Sequence, residues 1–121
     1  MARRRIQAAD GLAALAAVEA GSTDRTDVAT SVRFLLEELA ELAPGKSVEV
    51  RVPPYGAVQC VGGLTHTRGT PPNVIETDAE TWIGIATGTL DWDEAIASAR
   101  VLASGSRANL EGLIPVISRR S

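Results

Sequence analysis

The 121-residue chain reads as an α+β domain with a mainly antiparallel sheet and helices packed on one face. Three observations predict this. Apolar residues recur at helical spacing in the first third of the chain. The period then changes to strict alternation at Val48-Glu49-Val50-Arg51-Val52, and the strands beyond it are joined by hairpin-type turns rather than regular helical crossovers. The length suits a single domain over 1–121, with 6–20 as an N-terminal helical extension and 28–117 as the core. At 45% hydrophobic and 22% charged residues, a chain of this size buries about two-thirds of its unfolded surface without disulfides or metal.

Residues 6–20 are alanine-rich and predict a helix with Leu12, Leu15 and Ala16 on one side, stopped by Gly21. The polar connector Ser22–Asp27 supplies N-caps for the next element. Val28, Val32, Leu35, Leu39 and Leu42 then recur at steps of four and three, widened by Leu36, with Glu37, Glu38 and Glu41 on the opposite, solvated side. Pro44-Gly45 ends that helix. Val48 to Val52 predicts a strand with one buried and one solvated face. Pro53-Pro54-Tyr55-Gly56 turns the chain, and Ala57 to Val61 predicts an antiparallel partner. Leu64 to Thr67 reads as a short strand, Arg68 to Pro72 as a loop, and Asn73 to Glu76 as another short strand. Thr77-Asp78-Ala79-Glu80 fits a capping box for a helix carrying Trp82, Ile83, Ile85 and Ala86 and closed by Gly88. Asp91 caps a second short helix with Trp92, Ala95, Ile96 and Ala99 inward. A strand is expected near 100–105, followed by a Ser106-capped helix bearing Leu110, Leu113 and Ile114 and ended by Pro115.

The charge pattern narrows the function. There are 12 basic and 15 acidic residues. Setting aside Arg3, Arg4, Arg5, Arg119 and Arg120 at the ends leaves seven basic residues against the same 15, a body that would repel a phosphate backbone, so nucleic acid is not an expected partner. No window approaches ~18 consecutive apolar residues, so no transmembrane segment is expected. No signal-type stretch opens the chain, and the cytoplasm is the expected compartment. A single Cys60 and a single His66 exclude an intramolecular disulfide and the ordinary zinc sites, so no metal or other cofactor is expected.

Catalytic constellations come up short. His66 has no G-x-S-x-G nucleophile near it, and Pro44-Gly45-Lys46-Ser47 lacks the glycine spacing of a phosphate loop. Asp91, Asp93 and Glu94 are accounted for by helix capping. Cys60 sits among apolar neighbours, where burial raises a thiol pKa. The polar cluster His66, Arg68 and Thr70 reads either as the mouth of a site, with Arg68 on a carboxylate or phosphate head group, or as an ordinary surface loop. Trp82 and Trp92 are packing units or the walls of a ligand slot.

From Asn73 onward, Val74-Ile75-Glu76-Thr77-Asp78, Trp82, Ala86-Thr87-Gly88-Thr89-Leu90, Ala95, Val101, Gly105 and Leu110-Glu111-Gly112-Leu113-Ile114-Pro115 resemble the C-terminal half of sterol carrier protein type-two-like domains. The stretches Arg51–Cys60 and His66–Pro72 look like the actinobacterial branch called bacterial sterol carrier orthologues. The resemblance covers about 28–117. It implies a sheet of about five strands with helices against one face, enclosing an apolar tunnel for a sterol, fatty acid or acyl chain, and no catalytic residue set. The extra N-terminal helix could fill or cover that tunnel, and a generic acyl or polyketide-like lipid is the expected ligand.

The expectation is therefore a non-catalytic binding or carrier protein for an apolar small molecule. Its lining, chosen by face rather than by family motif, is Leu35, Leu39, Val50, Val52, Val58, Trp82, Ile85, Leu110 and Ile114. The alternatives are an interaction or homodimerisation module with a filled core, and an accessory domain to a separate enzyme. A catalytic reading would need His66, Arg68 and Cys60 to converge.

Overall fold

The computed structural model describes residues 6–62 and 73–117. Alanines make α1 (Ala8–Glu19) a helix on intrinsic propensity. It closes on Gly21 at φ 110°, where Ser22 N–H returns to Ala17 O and Gly21 N–H to Val18 O, the paired hydrogen bonds of a glycine C-terminus. Its buried residues are Gly11, Ala14 and Leu15, whereas Leu12 and Ala16 face solvent. The inward face is thus rotated from the one expected, because a glycine lies at its centre and hydrophobicity alone does not mark it.

The second helix, α2 (Arg25–Leu42), starts at Asp24, whose side chain accepts the Thr26 N–H at 2.7 Å. The apolar spacing holds: Val32, Leu35, Leu36 and Leu39 are buried, joined by Phe34. Leu42, at the end of the stripe, is 56% exposed. Glu37 and Glu38 are half-buried rather than solvated, and Glu37 accepts the Ile6 N–H. α2 runs between α1 on one side and the sheet on the other, so little of its circumference is free.

Four strands are described: β1 (Val48–Val52), β2 (Gly56–Cys60), β3 (Asn73–Thr77) and β4 (Val101–Ser104), in the order β2-β1-β3-β4. The expected count of about five becomes four among the described residues, since Leu64–Thr67 lies outside them. The β1–β2 hairpin is antiparallel, with Val50 opposite Val58, and β3–β4 is antiparallel with Ile75 opposite Ala103. Between these two pairs, β1 and β3 run parallel, Val50 opposite Ile75. Val48, Val50, Val52, Ile75 and Val101 face the helices and are buried, while Glu49, Arg51 and Leu102 face away. That single-sided burial is the alternation seen in the sequence.

Between β3 and β4 the chain forms α3 (Ala79–Thr87) and α4 (Trp92–Ala97). The cap of α3 is Asp78, accepting Thr81 N–H at 2.8 Å, not Thr77. The Thr77 hydroxyl instead donates to Arg100 O on the neighbouring strand's approach. Gly88 closes α3 at φ 89°. In α4 only Trp92 and Ala95 are buried, and Ile96 and Ala99 are exposed. At six residues the helix is too short to present a wide stripe.

The helix expected after Ser106 is absent. Asn109 accepts Glu111 N–H with its own side chain, and Gly112 lies at φ 88°. Both divert the backbone from an α-helical ladder. The segment is tied down instead by Val116 N–H to Ala86 O, and its Leu110 is fully buried.

Candidate functional site

The core is one contiguous cluster in which Val32, Leu35, Leu36 and Leu39 of α2 meet Val48, Val50 and Val52 of β1 and Ile75 of β3. Of the nine residues expected to line a tunnel, Leu35, Leu39, Val50, Val52, Trp82 and Leu110 sit fully inside this cluster. Trp82 is held by its indole N–H, which donates to Val32 O at 3.2 Å and leaves no unpaired polar atom on a completely buried ring. Ile85, 1% exposed, belongs to the same cluster, whereas Val58 and Ile114 are partly buried at two separate places. Val58 lines a groove beside α2. Ile85 and Ile114 lie in a smaller cleft of about 210 Å³ with Trp92, Asp91, Asp93 and Glu111. The expected mouth, His66, Arg68 and Thr70, lies outside the described residues.

The groove beside α2 is the larger, about 540 Å³, within the range of small-molecule sites. One wall is the boundary between the buried and solvated faces of α2, namely Thr30, Arg33, Leu36 and Glu37. The other is the β1–β2 turn and the first residues of β2, Tyr55 to Val58, and Ile6 closes one end. Gly56 keeps the floor low: a Cβ there would meet Leu36 Cδ1 at 3.5 Å and Arg33 Cγ at 3.8 Å. Val58 stands opposite Val50 in the helix-facing row of the sheet, so the groove opens onto the edge of the sheet–helix layer. Arg33 Nε donates to Tyr55 O at 2.7 Å and so spans the two walls.

Sequence reasoning missed Ile6, Arg33, Tyr55 and Gly56. The available signals were the one cation within the apolar run of α2 and the only tyrosine of the chain, placed in a Pro-Pro-Tyr-Gly turn.

Cys60, at the end of β2, is fully buried. Burial away from water pushes its thiol up to about 11, so at neutral pH it is a protonated core residue rather than a nucleophile. Among the described residues, no three His, Cys, Asp or Glu side chains gather in a way that could hold a metal ion, and no helix is long and apolar enough to cross a membrane.

No curated protein matches the chain. The family model described as "Bacterial SCP ortholog" matches residues 24–116, from the cap of α2 through the last tethered segment, about three quarters of the sequence. With the resemblance carried by Arg51–Cys60 and by the residues from Val74 to Pro115, this chain belongs to the bacterial sterol carrier protein orthologue family.

Proposed function

We propose that this protein is a non-catalytic binder or carrier of an apolar small molecule of the fatty-acyl type, taken up through the groove between α2 and β2. The observation that carries this reading is that groove: about 540 Å³, with Ile6, Leu36 and Val58 as apolar walls and Val58 in register with the buried Val50. Family membership supports a lipid-carrier-like domain, and the protonated, buried Cys60 supports a role without chemistry. Binding would be driven by removal of hydrocarbon from water, about 0.8 kcal/mol per methylene before ordering costs.

Displacement of a fluorescent fatty acid by saturated acids of increasing chain length tests this. Affinity should rise roughly fourfold per added methylene until the groove is filled, and Val58→Arg should abolish uptake while the circular dichroism spectrum is unchanged. Native mass spectrometry without any bound or exchangeable acyl species, together with no displacement by the wild-type protein, would overturn the proposal.

A docking module is the second reading, favoured by β4, an edge strand whose Leu102 is 63% exposed. A tight dimer in sedimentation, loosened by Leu102→Lys, would support it.

A further inference from the structure

The larger groove continues into a second one, of about 280 Å³, where Arg25, Thr26 and Thr30 of α2 face Pro54 and Tyr55. Thr30, Arg33 and Tyr55 line both, so the two form one slot with unlike ends. Toward Val58 the walls are Ile6 and Leu36. Toward the start of α2 they carry Arg25 and Arg33, two turns apart on one helix face, which places both guanidinium groups along the same side.

Arg33 stands at the junction. The hydrogen bond from its Nε to Tyr55 O fixes the plane of the guanidinium, and its two Nη groups have no carboxylate within ion-pair distance among the described residues. Nearby acids are engaged elsewhere. Asp24 accepts Thr26 N–H, Asp27 accepts the Ser22 hydroxyl at 2.7 Å, and Glu37, one turn past Arg33, accepts Ile6 N–H at 3.2 Å. In a body where seven basic residues face 15 acidic ones, two arginines lining one slot are a local concentration of positive charge. A planar fork with free Nη donors matches a carboxylate or phosphate oxygen pair.

We propose that Arg33, backed by Arg25, is the head-group site of this slot, and that the ligand is a single-chain amphiphile with an anionic head, carboxylate or phosphate, whose chain runs toward Leu36 and Val58. This rests on the acyl-binding reading above. Arg33 is solvent-exposed, so the expected discrimination is modest, about tenfold.

The test measures dodecanoate, dodecyl phosphate and dodecanol binding to the full chain and to Arg33→Gln and Arg25→Gln, with thermal melts confirming that the variants remain folded. The wild type should bind at least one anionic amphiphile about tenfold more tightly than the alcohol, and the tighter of the two anions identifies the head. Arg33→Gln should erase that preference, so that the anionic ligands bind no more tightly than dodecanol, with Arg25→Gln reducing it partly. Equal affinity of the wild type for all three ligands, or a preference that survives Arg33→Gln, would overturn the head-group site and leave the acyl-binding reading standing. If none of the three binds, both fail.

Discussion

Gly11 is in the interior of α1, where glycine costs about 1 kcal/mol relative to alanine, yet the Phe34 ring of α2 lies against it. A Cβ built on it would lie 2.6 Å from Phe34 Cδ2 and closer still to Cγ and Cδ1. The Phe34 ring is 1% exposed and cannot swing outward, so accommodating a methyl requires α1 to move away from the ring. That movement loosens Leu15, which is fully buried. Overpacking of this kind costs about 3 kcal/mol at its upper end. Subtracting the propensity gain leaves Gly11→Ala destabilised by about 2 kcal/mol, or roughly 8 °C in Tm for a domain of this size. Denaturant unfolding of Gly11→Ala, Phe34→Ala and the double variant closes the cycle. In the Phe34→Ala background the ring is gone, and Gly11→Ala should then stabilise by about 1 kcal/mol. If Gly11→Ala alone stabilises the protein by that amount, the ring does not rest on the α1 backbone and the reasoning fails. The same variant should weaken acyl uptake, because Ile6, at the end of the groove, leads directly into α1.

Cys60 carries a pH signature. Its thiol is pushed up to about 11 from 9.0, so the unfolded chain releases the proton first. The associated stability is complete below pH 9 and is lost as pH rises toward 11, roughly 2–3 kcal/mol in all; the difference between wild-type and Cys60→Ala unfolding curves should narrow across that window. Asn73 is 2% exposed, donating to Ser47 O at 2.8 Å and accepting Arg107 N–H at 2.9 Å. Asn73→Leu strands both backbone groups and should cost about 3 kcal/mol in denaturant unfolding. Gly45 lies at φ 150°, and a Cβ there would collide with the Val61 carbonyl and Gly62 N. Gly45→Ala should lower Tm more than Gly11→Ala does, since backbone atoms have no rotamer with which to yield.

How much of this was legible follows from how local each cause is. Val48 to Val52 was readable because alternation depends only on the pleat, and α2 because its stripe repeats over 18 residues. Gly21 and Gly88 were readable as helix stops because a left-handed residue is a property of one position. The helix expected after Ser106 failed because its spacing of Leu110, Leu113 and Ile114 is also that of a turn-rich segment pinned to Ala86, a contact with no local mark. Leu12 was misplaced for the same reason. The inward face of α1 is selected by Phe34 seeking a glycine, a long-range steric fit that hydrophobicity does not express. The parallel pairing of β1 and β3 depends on where the chain returns, which neither strand encodes.

The candidate site was harder to read than the fold, and α2 shows why. An amphipathic helix divides its residues into a buried stripe and a solvated face, and pattern reading assigns each position to one or the other. Thr30, Arg33 and Glu37 belong to neither. They lie on the seam between Val32 or Leu36 inside and the outer face, and become groove residues because β2 runs beside that seam with Gly56 facing Leu36 and Arg33. A bulkier residue at 56 would close the gap and return Arg33 to ordinary surface. The site therefore depends on a pairing between a helix boundary and one missing side chain, and Gly56→Leu, which fills the floor and keeps the arginine at position 33, should reduce uptake of neutral and anionic amphiphiles alike. Arg33→Gln removes the preference between them. Observing the same loss profile for both variants would mean that the slot has no distinct head-group end, and its two halves would then be a single apolar surface.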